Sequence, residues 1–369
     1  MIIKLILLLF SIVSGNESDR DADRKPGIEE QIIPTSVDSN FLFKDKIMSI
    51  FQDSKGIYWL GSREDGLCKY DGKSYTYFTT KDGLPGNSVS NIQEDENGNI
   101  WIDNNDVITK FDGSQFIQFD KKDIPSVKIK NESIQLSKND LWFRSIAKVG
   151  EEERGVYRLH GNNLSFLSFE NSSLNLTNEH SHFWISSISK VRNNQIWFGT
   201  LDQGVIGINN KTLEKIDDEN MGYDGENKFI HVRSILLDSK NRLWIGNNGI
   251  GILLKEKDSF SNFSEKQGKL IPFQDFVNQD RKSSGLQAVF AIEEDSSGNI
   301  WFGETTSGAW KYDGKRLTNY SSIYDSQRKE EIIWDIYNDK NGKLWFILSS
   351  GTVFTFNGNS FDKFQGFNK

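Results

Sequence analysis

Any chemistry in this chain must be built from few specialised side chains. Its 369 residues include four histidines (His160, His180, His182 and His231) and one cysteine, Cys68. His180-Ser181-His182 offers two imidazoles from one segment. A metal or acid–base site would need a third group, His231 or a loop carboxylate. A single cysteine excludes an internal disulfide and any Cys/His zinc spacing. The 52 acidic residues contain too many carboxylate pairs to nominate one for glycoside hydrolysis. Phosphate loop, nucleophile elbow and dinucleotide fingerprint are all missing from the sequence. No catalytic set, metal or cofactor is therefore assigned. Recognition is the better-supported chemistry. Trp184 and Trp334 could stack on sugar rings or planar ligands, Arg233 could grip a carboxylate in bidentate fashion, and His231, Glu132, Arg63 and Glu304 could add polar contacts.

The elements that would position these residues come from an internal repeat. Seven tryptophans, Trp59, Trp101, Trp142, Trp197, Trp244, Trp301 and Trp345, recur at intervals of 41–57 residues. Around them the chain repeats one pattern: an apolar strand ending in Asp, two residues, Gly or Asn, one residue, an apolar residue, then Trp. Asp95…Gly98…Trp101, Asp295…Gly298…Trp301, Asp53…Gly56…Trp59 and Asp339…Gly342…Trp345 share the spacing, and Asp238…Asn241…Trp244 substitutes Asn. Gly and Asn both tolerate the positive φ of a tight hairpin. A second turn follows at Asp71-Gly72, Asp112-Gly113, Asp313-Gly314 and Asn357-Gly358. Four antiparallel strands per repeat of about 45 residues describe a propeller blade. Seven repeats predict an all-β, seven-bladed β-propeller of four-stranded antiparallel blades. Blades three, four and seven depart from the pattern: no acidic residue opens the turn before Trp142, Val191 replaces Asp in blade four, and Ile347 follows Trp345-Phe346 where Gly is expected.

These residues resemble the two-component regulator propeller repeat: Asp, a turn Gly, Trp, then Gly-Thr, Gly and Tyr or Phe. Asp295, Gly298, Trp301, Gly303, Gly308 and Tyr312 match with Glu304 at the Thr position. Asp53, Gly56, Trp59, Gly61, Gly66 and Tyr70 match with Ser62 there, and Trp197, Gly199, Thr200 and Gly204 match the middle portion. The resemblance implies an extracytoplasmic ligand-binding sensor module. Family members usually carry two propellers, a membrane helix and a kinase. A standalone propeller is expected here, with a separate sensor kinase as its signalling partner.

Residues 1–15, one lysine followed by an apolar run, read as a signal peptide. Residues 16–39 read as a flexible polar leader, and 40–369 as the propeller. Export to the periplasm or cell exterior is expected. No later apolar stretch is long enough for a membrane span, and 44 basic against 52 acidic residues, net −8, disfavours nucleic acid. Ring closure could use 360–364 as the last outer strand or draw on 40–44; the Asn357-Gly358 turn favours the former.

Aligning the inner strands on their Asp places the site candidates. Seven residues before it stand Lys46, Ser88, Trp184, His231, Ala288 and Ile332. Five before it stand Met48, Ser90, Ser186, Arg233, Phe290 and Trp334. Blade three offers Lys130 and Glu132. Arg63 and Glu304 lie in the loops after the second strands. Together with the insertions 170–183, 217–228 and 264–285, these residues point to one face at the mouth of the central channel. The expected ligand is a glycan, a small molecule or a protein. The same side chains could instead pack between blades, a polysaccharide lyase or hydrolase using His180, His182 or His231 is the enzymatic alternative, and a structural scaffold for protein docking is the third.

Overall fold

The computed structural model describes residues 36–38, 43, 47–104, 106–129, 134–147, 154–169, 183–201, 203–209, 212–217, 231–270, 285–323 and 331–367. All belong to the unit Ile32–Lys369. The expected signal peptide and most of the expected leader lie outside the described residues.

Seven sheets form the seven blades of the propeller. Blade one contains β1 (Ser36–Asp38), β2 (Ile47–Gln52), β3 (Tyr58–Ser62), β4 (Leu67–Tyr70) and β5 (Tyr75–Phe78). Blade two contains β6 (Ile92–Glu94), β7 (Ile100–Asn104), β8 (Val107–Phe111) and β9 (Phe116–Asp120). Blade three contains β10 (Ser126–Lys128), β11 (Leu141–Phe143), β13 (Gly155–His160) and β14 (Asn163–Ser168); β12 (Ile146–Ala147), between β11 and β13 in sequence, joins the sheet of blade four. Blade four contains β15 (Phe183–Ile188), β16 (Gln195–Thr200), β17 (Val205–Asn209) and β18 (Thr212–Ile216). Blade five contains β19 (Val232–Leu237), β20 (Leu243–Asn247), β21 (Leu253–Glu256) and β22 (Ser259–Asn262). Blade six contains β23 (Val289–Glu294), β24 (Ile300–Glu304), β25 (Ala309–Tyr312) and β26 (Leu317–Tyr320). Blade seven contains β27 (Ile333–Asn338), β28 (Leu344–Leu348), β29 (Val353–Phe356) and β30 (Phe361–Lys363).

The turn Asp does more than shape its hairpin. In blade five the Asp238 carboxylate accepts the backbone N–H groups of Lys240 (3.0 Å) and Arg242 (2.8 Å) on one oxygen. Its other oxygen accepts the Trp244 indole N–H at 2.9 Å. The same indole bond joins Asp53 to Trp59, Asp95 to Trp101, Asp295 to Trp301 and Asp339 to Trp345, at 2.7–2.9 Å. One carboxylate thus fixes the turn and the large side chain of the following strand. Each of the seven tryptophans also carries a cation over its ring: Lys69, Lys110, Arg158, Lys255, Arg242, Lys311 and Lys343, in chain order of their tryptophans.

The second strands are apolar on both faces because each is covered by both neighbouring blades, as the fully buried runs of β7, β20, β24 and β28 show. The core therefore lies between blades. The tryptophan of one blade meets the aromatic residue after the tryptophan of the next: Trp101 with Phe143, Trp142 with Phe198, Trp244 with Phe302 and Trp301 with Phe346, at centroid distances of 5.4–6.0 Å. Gly61 and Gly246 permit this approach. A Cβ on either would stand 2.3 or 2.6 Å from the carbonyl oxygen of Val89 or Val289 in the next blade. Blade two has Asp103 at this glycine position, and beside the Trp101–Phe143 contact it accepts from Lys121 Nζ (2.7 Å) and the Arg144 backbone N–H (3.1 Å) of blade three.

Ring closure follows the expected route. The outer strand of blade seven is β30, paired with β29. Ile347, where a glycine is expected, is fully buried in a cluster with Ile47, Ile50 and Leu60 of blade one. The C-terminal Phe367 stacks on Tyr70 at 4.3 Å and exchanges backbone hydrogen bonds with the Tyr75 hydroxyl. β1 pairs with β5 as a fifth, outermost strand of blade one.

Blade three departs most from the repeat. Its sheet runs β10-β14-β13-β11, with β10 parallel to β14 at the outer edge, and no inner strand is present among its described residues. Its Asp140 sits two residues before Trp142 rather than six. There it pairs with Arg158 (2.6 Å) and His160 (2.7 Å), and the buried Trp142 indole N–H has no acceptor among the described residues. In blade four a two-residue Asn193-Asn194 turn with positive φ replaces the Asp turn. Trp197 then reaches only the Gln195 side-chain oxygen, at 3.4 Å.

Burial pushes the Asp95 and Asp295 carboxyls up, but their indole, Asn carboxamide and backbone donors together hold both below the usual carboxylate range. Their stabilising contribution is complete above about pH 4 and is lost as pH falls through the lower folded value. Asp238→Ala should lower stability by roughly 3 kcal/mol, because each buried donor left unpaired costs about 1–3 kcal/mol. Urea denaturation checks this, with the exposed turn variant Asp71→Ala expected within about 1 kcal/mol of wild type.

Candidate functional site

The inner strands share an irregularity that positions the candidate residues. In blades one, four, five, six and seven the pairing register shifts between residues 47 and 49, 185 and 187, 232 and 234, 289 and 291, and 333 and 335. The extra residue at each bulge is Met48, Ser186, Arg233, Phe290 or Trp334, all five positions before the turn Asp or its equivalent. A bulge re-aims the side chain it inserts, so this position escapes the in–out alternation of the strand.

Three of these residues form a row. The Arg233 guanidinium lies 5.0 Å from the Phe290 ring centre, and Phe290 lies 6.1 Å from Trp334. The row crosses blades five, six and seven. Arg233 is half-buried, its Nε is fully buried with no hydrogen-bond partner among the described residues, and burial pulls its pKa down to about 10. A guanidinium held in this way lacks a planar acceptor, the contact that a carboxylate supplies.

The other predicted residues are placed as follows. Trp184 is half-buried on β15 and pairs across the strand with Ile146, which is 47% exposed. Its carbonyl accepts from Leu201, fixing it to the loop after the second strand. His231 is exposed at the start of blade five's inner strand. Arg63 reaches across the closure joint to the Ser349 carbonyl (3.2 Å) and towards the bulge residue Met48 (3.7 Å to Sδ). Glu132, His180 and His182, with most of the long insertions, lie outside the described residues. Glu304 has a different task. It is 1% exposed, and its oxygens accept from the backbone N–H groups of Thr306 and Ser307 (both 2.7 Å) and from the Thr305, Thr306 and Ser307 hydroxyls. Ser62, Thr200 and Asn247 brace the same loop in their own blades. Glu304 therefore builds the loop and is not placed with the aromatic row.

Sequence reading missed Asp335. It occupies the next inner-strand position after Trp334, where other blades carry Ser49, Ser187, Ser234 and Ala291, so an acidic residue among small ones was the available signal. Farther along the inner strands, Lys190 of blade four meets Glu293 of blade six at 3.0 Å. These blades are not neighbours, so the pair bridges towards the propeller axis. The Asp335 side chain is exposed by area yet closely surrounded by protein, and the resulting desolvation, with Glu293 adding to it and Arg144 opposing it, pushes its carboxyl up to about 7. Burial also pushes Glu293 up, against Lys190. Among the described residues, no group of three or more His, Cys, Asp or Glu could hold a metal ion, and no helix is long and apolar enough to cross a membrane.

The two component regulator propeller model matches residues 83–106 and 226–249. The chain carries two component regulator propeller repeats. Similar solved structures agree on the architecture. The extracellular domains of the hybrid two component systems BT4673 and BT3049 of B. thetaiotaomicron are 19% and 21% identical, with TM-scores of 0.57 and 0.58, over 90% and 87% of this chain. This chain spans 40% of the length of either. An inactive virginiamycin B lyase from Staphylococcus aureus, crystallised with quinupristin, is 14% identical with a TM-score of 0.55, over 86% of this chain and 97% of its own. At these identities the likeness is one of fold. No curated protein matches the chain in sequence.

Because Asp335 is raised in the folded protein, it binds a proton more readily there than in the unfolded chain. Folding is therefore least penalised below the ordinary value of about 4, and the penalty grows as pH rises to about 7. Channel water screens part of the effect. Asp335→Asn should be more stable than wild type at about pH 8.5, with the gap shrinking towards about pH 4. Urea midpoints across that range test it, and a constant gap would be the contrary result.

Proposed function

We propose that this propeller is an exported, non-catalytic recognition module of the sensor type, with residues 1–15 as its export signal. It takes a glycan or small molecule that combines a ring face with a carboxylate. The observation that carries this reading is the row Arg233–Phe290–Trp334 with the buried, unpartnered Arg233 Nε. Aromatic faces bind the apolar faces of sugar or planar rings, and the guanidinium supplies the anion contact. Trp184 and His231 on blades four and five extend the same arc of inner-strand starts. The fold likeness to extracellular domains of two component systems supports a sensing role, with a kinase as the signalling component.

The test is fluorescence and calorimetric titration with acidic and neutral oligosaccharides and small ring carboxylates. Arg233→Met should weaken the acidic ligand by about 10- to 100-fold, the range expected for one charge-assisted hydrogen bond of about 1.5–3 kcal/mol. Trp184→Ala combined with Trp334→Ala should abolish the fluorescence change. Unchanged affinity in both variants would remove the site, and turnover of any bound glycan would overturn the non-catalytic reading.

A further inference from the structure

A cavity of about 190 Å³ lies between blades four and five on the hairpin side, lined by Gln195, Trp197, Asn241, Lys255, Lys257 and Asp258 among others. It adjoins the place where the repeat is incomplete. Blade five shows the complete arrangement: the Asp238 carboxylate accepts the Trp244 indole N–H at 2.9 Å and the Arg242 Nε at 2.7 Å, while the Arg242 guanidinium lies 4.9 Å from the Trp244 ring centre. Blade four keeps the indole and the cation but has Val191 at the Asp position, six residues before Trp197. The cation comes from the neighbouring blade, with Lys255 Nζ 5.6 Å from the Trp197 ring centre. The strand position opposite Trp197 is Gly207, where blades one, two, three and six place Lys69, Lys110, Arg158 and Lys311. A Cβ on Gly207 would stand 2.4 Å from the indole ring.

We infer that this cleft is a second ligand site, separate from the channel mouth, for a small organic carboxylate that supplies the acceptor missing from blade four. Among the described residues the indole N–H has only the long contact to Gln195 Oε1, at 3.4 Å. Lys255 Nζ donates to the Lys257 carbonyl at 3.1 Å and pairs with Glu214 at 3.6 Å, and Lys255, Lys257 and one acid, Asp258, line the cleft. The carboxylate would accept from the indole and approach Lys255, as Asp238 does with Trp244 and Arg242. The cleft suits a single small acid rather than a polymer, and its carboxamides Gln195 and Asn241 suit a hydroxylated one.

The experiment follows the indole N–H cross-peaks of the full chain by two-dimensional NMR, with Trp197 assigned through Trp197→Phe. The probes are acetate and glucuronate, with glucose as the uncharged control. Both acids should shift the Trp197 peak saturably and leave Trp244 in place, and glucose should not shift it. Gln195→Glu puts the chain's own carboxylate beside that indole and should weaken glucuronate by about tenfold or more. Lys255→Met should weaken it in the same direction, and Arg233→Met should leave it unchanged. Absence of a saturable Trp197 shift with either acid, equal response to glucose, or full affinity in both Gln195→Glu and Lys255→Met would overturn the proposal.

Discussion

The bond from a tryptophan indole N–H to a turn aspartate organises this propeller, because it couples two scales of structure. Locally, the Asp carboxylate closes the hairpin by accepting backbone N–H groups two and four residues on. Through its second oxygen it fixes an indole that is almost wholly buried, at 0–4% exposure in the blades that have the bond. That indole faces the aromatic side chain of the next blade, so a local turn sets the spacing of the whole ring. Burial alone would leave the indole free to slide or flip. A charged acceptor removes that freedom and satisfies a donor that would otherwise be costly inside the core.

Departures from the repeat draw on neighbouring groups. Blade three loses it and instead builds an Arg158–Asp140–His160 network, with the Arg158 guanidinium 5.3 Å from the Trp142 ring centre. Blade four takes its cation from blade five. Blade seven gives up the glycine that blades one, four, five and six place after the tryptophan and uses Ile347 to form the joint with blade one. Tyr58 adds a hydroxyl bond to Asp339 at 2.7 Å across the same joint. Closure therefore depends on side-chain packing between blade seven and blade one, and each blade keeps its own outer strand.

The repeat was legible in the sequence because its signals are redundant. Tryptophan, turn aspartate and positive-φ residue all recur at fixed offsets, so losing one in blade four left the blade readable. The candidate site was partly legible for the same reason: counting back from the aspartate found the bulge position holding Arg233, Phe290 and Trp334, although nothing in one sequence showed the bulge itself. Glu304 illustrates the limit. As a carboxylate in a loop it looks free to bind, yet it stands at the position where Ser62, Thr200 and Asn247 brace the same turn, and three-dimensional hydrogen bonding decides its role. Asp335 escaped for the opposite reason, since its character comes from groups on blades three, four and six that no local pattern brings together.

A repeat protein binds where its units stop being equivalent, because equivalent positions are already committed to holding neighbours together. The bulge residue illustrates the point. Its backbone is shared by five blades, so the ring gains nothing in architecture from varying it, yet it runs from Met48 and Ser186 to Arg233, Phe290 and Trp334. A position used only for packing would be expected to hold similar apolar volumes in every blade. Instead it places a cation and two aromatic rings side by side on three successive blades and leaves small or flexible residues elsewhere. The rigidity that the Asp–Trp bonds give the ring lets such a one-sided arrangement stay aligned without a ligand, and pre-alignment lowers the entropy that binding would otherwise have to overcome.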